Sequence, residues 1–252
     1  MVVVGADGGI GSCQRGLGLG AASSGGEERR AGVGVGSRAG VKAGAVCGGR
    51  GRRQETKWVG TKARDVDGFK LWYSGSERRH NGVGILVDED LRGQVVEVKR
   101  WYAPQVRLGE EVKESFWEAL DEVVRSMPSS KKIVIAEDFN GHIGVSHGGY
   151  NEVHEGFGFS ERNGEGVALL DFSRAFGFVV VNSSFPKKED HLITFQRASA
   201  KTQIDFLLLR KGDRVLCKDC KVISSEHLST QHRLLVMDLC IRKSKKSRAG
   251  EG

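Results

Sequence analysis

Residues 1–51 hold 17 of the 36 glycines of this 252-residue chain and not one Trp, Tyr, Phe or Pro. Every large ring and every proline lies beyond them. A stretch so poor in large side chains buries little apolar surface, so ordering it costs backbone entropy with small return. The break predicts a glycine-rich, disordered leader over residues 1–50, one domain over 51–241, and a basic, flexible tail over 242–252. The opening Val-Val-Val-Gly-Ala-Asp-Gly-Gly-Ile-Gly superficially resembles a strand entering a dinucleotide-binding glycine loop. That motif needs a helix next, and more glycine and serine follow, which argues against a nucleotide cofactor.

Beyond Gln54 the chain reads as alternating strands and helices. Short β-rich runs fall at Gly84 to Val87, Val95 to Val98, Ile133 to Ala136, Val179 to Val181, Ile204 to Leu209 and Leu234 to Leu239. Val112, Phe116, Leu120, Val123, Val124 and Met127 recur at three- and four-residue spacing before Pro128, which predicts an amphipathic helix and its stop. A second helix is expected from Asn163, as N-cap, to Gly177. Interleaving of this kind predicts an α/β domain in layers, with ligands where loops gather at strand ends.

The formal net charge of +7 favours an anionic partner such as nucleic acid. Part of it sits in Arg242, Lys243, Lys245, Lys246 and Arg248, a run that reads equally well as a solvated tail. Five cysteines, an odd number without a signal peptide, point to a nuclear or cytoplasmic protein with reduced thiols. Cys217 and Cys220 form a lone Cys-x-x-Cys and read as structural thiols rather than half a zinc site. No apolar run reaches the length of a membrane span.

The strongest chemical signal is Ile133-Val-Ile-Ala-Glu-Asp138-Phe-Asn140-Gly141. An apolar strand there delivers an acid and an amide, two residues apart and so on one face, to a glycine turn. A carboxylate can orient or deprotonate a water while an amide binds a phosphate oxygen; the same residues can also merely shape the turn. Gln54-Glu55-Thr56, Asp205 at the head of an apolar strand, and His232 just before another are weaker signals, each with a structural reading of its own.

Taken in order, Gln54-Glu55-Thr56, Tyr102-Ala-Pro104, Glu137-Asp138-Phe139-Asn140, Ile204-Asp205-Phe206 and Thr230-Gln231-His232 resemble the markers of the endonuclease/exonuclease/phosphatase family. Trp101 to Gln105, Phe157 to Asn182 and Thr202 to Asp238 look especially like craniofacial development protein 2-like and retrotransposon endonuclease domains. The resemblance implies two β-sheets packed face to face with outer helices, a four-layer sandwich, and a metal-dependent phosphodiesterase acting on nucleic acid, DNA above RNA. It implies Mg2+ or Mn2+ on Glu55, Asp138 activating or orienting water, Asn140 holding phosphate and Tyr102 touching phosphate or the catalytic acid. Asp205 would then tune the site, and His232 would stabilise charge on the phosphate.

Four departures from the pattern bear on activity. The Asn-bearing first strand of the family is replaced by the glycine-rich segment, so the sheet is expected to lack a core strand. Only Lys99, Arg100 and Trp101 stand between Val98 and Tyr102, where the family adds sheet. Glu137 takes the place of a glycine, and Gln231 that of the aspartate that would partner His232. These losses predict weakened or absent turnover. The rival reading is a retroelement-derived nucleic-acid-binding or interaction module without catalysis, and abasic-site repair is a third.

Overall fold

A computed structural model describes residues 2–6, 39–46, 60–66, 69–75, 82–88, 95–100, 109–227 and 231–240. The predicted strands are present, four of them extended, as β5 (Gly82–Asp88), β6 (Val95–Arg100), β7 (Lys132–Asp138) and β13 (Arg233–Leu239), and two shifted by one residue, as β8 (Phe178–Val180) and β11 (Asp205–Arg210). To them the structure adds β1 (Val2–Ala6), β2 (Ala39–Val46), β3 (Gly60–Val66), β4 (Phe69–Gly75), the small hairpin β9 (Phe195–Arg197) and β10 (Ala200–Thr202), and β12 (Cys217–His227). They form a five-stranded sheet in the order β6-β1-β7-β11-β8 and a six-stranded sheet in the order β12-β13-β2-β5-β4-β3.

The two sheets face each other across one apolar layer. Alternation along each strand decides which residues enter it. Val134 and Ala136 of β7 and Leu207 and Leu209 of β11 meet Ile85, Val87, Val222, Leu235 and Met237 of the opposite sheet. Their neighbours Ile133, Ile135, Phe206 and Leu208 point the other way, onto the helices. Both described helices lie on that outer face. In α1 (Glu110–Ser126), Phe116, Leu120, Val123 and Val124 are buried, as their spacing predicts, while Val112 at the first turn is exposed. α2 (Gly164–Ala175) is capped by the Asn163 side chain, which accepts from the Gly166 N–H, and ends before Gly177 at φ 66°, a left-handed conformation suited to glycine.

Two expectations are corrected here. The leader is not wholly without structure: β1 pairs with both β6 and β7, and β2 with both β13 and β5. The first sheet therefore does not lack its core strand. An interior slot requires backbone donors and acceptors on both edges, and a run such as Val-Val-Val supplies these together with high β-propensity. Counting aromatics misses that capacity. What β1 does not supply is the expected amide, since residues 1–50 contain no Asn. Residues 242–252, the expected tail, lie outside the described residues.

Cys217 and Cys220 are buried in the layer between the sheets. Burial pushes the Cys217 thiol up to about 12 and that of Cys220 well above its ordinary value, as befits packed, unreactive thiols. Among the described residues no helix is long and apolar enough to cross a membrane.

Candidate active site

At one end of the apolar layer the alternation that placed Val134 and Ala136 inward continues to Asp138, and that of Leu207 and Leu209 continues back to Asp205. The antiparallel register sets these two acids directly opposite each other. His232 arrives from the facing sheet, one residue before β13, in a β-bridge with Phe195. Phe195 also packs its ring against the imidazole at 4.9 Å, edge to face. All three polar side chains are buried, with Asp138 7%, Asp205 4% and His232 2% exposed.

The imidazole Nδ1 lies 3.1 Å from Asp205 Oδ2, in hydrogen-bonding range, and Nε2 lies 3.9 Å from Asp138 Oδ2. Asp205 is therefore the anionic partner of His232. This corrects the inference that Gln231 leaves the imidazole without one. The partner comes from a strand of the other sheet, a relation that adjacency in sequence cannot reveal.

Burial pushes the Asp138 carboxyl up to about 7, and the negative charge of Asp205 adds to the rise. His232 and the Asn140 N–H act in the opposite sense. That N–H donates to Asp138 Oδ1 at 3.0 Å and closes a tight turn in which Asn140 takes φ 51°. Asparagine tolerates this left-handed backbone better than most residues.

The loop carrying Asn140 is held from behind. The Asn163 carboxamide oxygen that caps α2 also accepts from the His142 N–H at 2.8 Å, and the His142 carbonyl accepts from the Asn163 N–H at 3.1 Å. Gly166 allows this contact, because a Cβ there would run into the His142 carbonyl oxygen. Beside Asn140, between the starts of α1 and α2, is a cleft of about 350 Å3 lined in part by Lys113, Trp117, Phe139 and Glu165.

The structure thus gathers Asp138, Asp205 and His232, with Asn140 on the adjoining turn. Glu55 and Tyr102 lie outside the described residues. Glu137, expected to turn away from Asp138, does so: it is buried, opposite Phe206, on the helix side of the sheet.

Two residues in the surroundings of Asp205 were not singled out by sequence. Thr194 Oγ1 accepts from the N–H groups of Ile204 and Asp205, both at 3.0 Å. Asn182 donates from Nδ2 to the Asp205 carbonyl and accepts at Oδ1 from the Leu207 N–H, both at 2.9 Å. The sequence signal for them was only a polar residue set among apolar neighbours.

The donor set suits a divalent cation. Asp138, Asp205 and His232 each offer one ligand atom, all within 4.8 Å of one another. Among the described residues Asp205 Oδ1 is buried without a hydrogen-bond partner, an unmet acceptor of the kind a cation satisfies. Carboxylate oxygens suit magnesium or manganese, and the imidazole leans toward manganese among the two.

No family model and no curated protein matches the chain. Among solved structures it is similar to the endonuclease domain of a telomere-specific non-LTR retrotransposon, with a TM-score of 0.46 and 14% identity over 71% of this chain and 81% of that one. It is also similar to an AP endonuclease from Archaeoglobus fulgidus, with a TM-score of 0.45 and 18% identity over 69% and 80% of the two chains.

Proposed function

We propose that this chain is a divalent-metal-dependent phosphodiesterase of the endonuclease/exonuclease/phosphatase type, acting on nucleic acid with DNA favoured, and related to the craniofacial development protein 2-like and retrotransposon endonuclease domains. The observation that carries the reading is the buried Asp138, Asp205 and His232 cluster, assembled from both sheets at the end of their shared core. Three ionisable groups do not gather in a buried site without a compensating role, because each costs desolvation there.

Asp138 suits the general base. A carboxyl pushed up to about 7 is half deprotonated near neutrality and accepts a proton more readily than an ordinary aspartate. In the proposed reaction a water oxygen bonds to phosphorus as the water proton passes to the Asp138 carboxylate, the bond from phosphorus to the leaving sugar oxygen breaks, and that oxygen takes up a proton from solvent. His232, anchored through Nδ1 by Asp205, presents its Nε2 edge to the phosphate, where in its protonated form it would stabilise negative charge. Asn140, fixed by its turn, presents its amide to a phosphate oxygen, and Tyr102 and Glu55 are assigned their roles by resemblance alone. Glu55, by resemblance, and Asp205 through Oδ1 would hold Mg2+ or Mn2+, which would supply positive charge beside the phosphate oxygens.

Turnover is expected to be low, because β1 fills the sheet without bringing an amide to the phosphate side. That same feature supports the second reading, a binding module that holds nucleic acid through its net positive charge without cutting it. Plasmid nicking with Mg2+ separates the two. The proposed enzyme nicks, loses nicking on Asp138→Ala, and cuts faster as pH rises through about 7, where Asp138 deprotonates. Salt-sensitive DNA binding with no nicking that Asp138→Ala removes would select the binding module.

A further inference from the structure

We propose that Asn182 is a positioning residue whose carboxamide sets the Asp205–His232 pair by standing in for a strand that ends too soon. The assignment of a catalytic purpose to that pair rests on the function proposed above; the positioning itself rests on backbone geometry.

β11 lies between β7 and β8 in the first sheet. β8 is only three residues long, and its pairing with β11 runs from Phe178 opposite Arg210 to Val180 opposite Leu208. The chain then leaves the sheet in a 3-10 turn, Val181–Ser184. Asp205, Phe206 and Leu207 therefore extend beyond the end of their neighbour on that side. In an antiparallel strand a residue's N–H and C=O point to the same edge, and alternate residues share it. The Asp205 carbonyl and the Leu207 N–H consequently face the space that β8 has vacated.

Asn182 fills it. Its amide group repeats the donor and acceptor of a peptide unit, bonding the Asp205 carbonyl and the Leu207 N–H at 2.9 Å each. Asn182 is only 3% exposed, so water is a poor substitute for either bond. The remaining polar group of the Asp205 backbone, its N–H, goes to Thr194 Oγ1. Both peptide groups of Asp205 on this edge are thus held by side chains rather than by a ladder. Position matters here more than elsewhere on the strand, because a one-residue slip turns Asp205 from the layer between the sheets onto the helix face. β7 holds the other edge, but on this one Thr194 alone would leave the Asp205 carbonyl and the Leu207 N–H without their partner.

The inference separates Asn182 from residues that merely stabilise the same turn. Ser183 supplies the comparison, since among the described residues its hydroxyl donates to the Val180 carbonyl at 2.8 Å and accepts from the Glu155 N–H at 3.4 Å, neither of them on β11 or the imidazole. Asn182→Leu keeps the bulk and removes both bonds, whereas Asn182→Asp keeps the acceptor for Leu207 and removes the donor to Asp205. Two readouts on the full chain are used: the downfield proton NMR signal of His232 Nδ1–H bonded to Asp205, assigned by its loss in Asp205→Asn, and kcat and KM for Mg2+-dependent plasmid nicking.

Asn182→Leu is expected to abolish the imidazole proton signal and to lower kcat about tenfold or more while KM changes less than about threefold, as for a misplaced group that acts on the reacting phosphate. Asn182→Asp should weaken both readouts, and Ser183→Ala should leave both near wild type. An Asn182→Leu protein with an unchanged signal and unchanged kcat overturns the proposal, and so does an equal loss in Ser183→Ala. If Asn182→Leu does not fold, Asn182→Asp decides, and wild-type values for it overturn the proposal. A wild-type chain that never nicks removes the catalytic reading and leaves the NMR comparison to judge the positioning on its own.

Discussion

Asp138→Asn should stabilise the folded chain at pH 8 and do little at pH 4. The reasoning starts from a carboxyl that prefers its proton. Unfolded, Asp138 titrates at the ordinary aspartate value of 3.8; folded, burial and the neighbouring Asp205 push it up to about 7. Between those limits the folded state holds a proton that the unfolded state has released, so stability falls as pH rises across that window. The loss is complete above about 7 and absent below about 3.8. Roughly three pH units at about 1.4 kcal/mol each set a ceiling of about 4 kcal/mol on the cost of holding the charge. An asparagine carries no charge to hold and retains an oxygen for the Asn140 N–H, which now donates to Asp138 Oδ1 at 3.0 Å. Urea unfolding at pH 4, 6 and 8 measures the difference between the two proteins. It should grow with pH, reaching about 2–4 kcal/mol in favour of the variant at pH 8, while nicking is lost. A variant less stable than wild type at pH 8, or a difference independent of pH, would refute the claim that Asp138 is held uncharged by its surroundings.

Three further outcomes follow from other parts of the structure. Lys132 Nζ meets Asp213 Oδ1 at 2.6 Å, with both residues under a tenth exposed, so Asp213→Ala strands a buried charge and should cost about 3–5 kcal/mol in urea unfolding, whereas Lys132→Met with Asp213→Leu should cost much less. Gln231→Asp should change kcat less than about threefold, because His232 already has a carboxylate at 3.1 Å; a large gain would show that Asp205 does not serve as its partner. Deleting residues 1–6 removes a strand flanked on both sides, so hydrogen exchange at Ile133 to Ala136 should accelerate by orders of magnitude, and unchanged protection there would show that β1 is dispensable.

Sequence made the helices and the strands around the site legible because both carry strong local signals. Phe116, Leu120 and Val124 repeat at the helical period, Asn163 and Gly177 bracket α2, and β7 and β11 are continuous apolar runs. It also selected Asp138, Asn140, Asp205 and His232, of which three meet in space. The misses that bear on the site share a cause, since each depends on pairing between distant segments. β1 and β2 are too small in side chain to announce themselves, and they become strands because slots between β6 and β7 and between β13 and β5 need backbone partners. The partner of His232 was sought at position 231, one residue away, when contact across the two sheets places it at Asp205.

This dependence on pairing also locates what holds the cluster in place. Asp138 is set by β7, which is interior; Asp205 is set by β7 on one edge and by Thr194 and Asn182 on the other; His232 is set by its bridge to Phe195 and by the start of β13. None of these supports requires a particular side chain from β1, only a backbone beside β7 in the register Val2 opposite Ala136 to Ala6 opposite Lys132. In the proposed enzyme, replacing the sequence of that strand would therefore change what it presents to the phosphate and leave the acid–imidazole geometry standing. Turnover and architecture are then separable quantities in this fold. In the proposed enzyme, chemistry would fall with each missing phosphate ligand, while the buried acids and imidazole persist because the sheets that hold them are specified elsewhere in the chain.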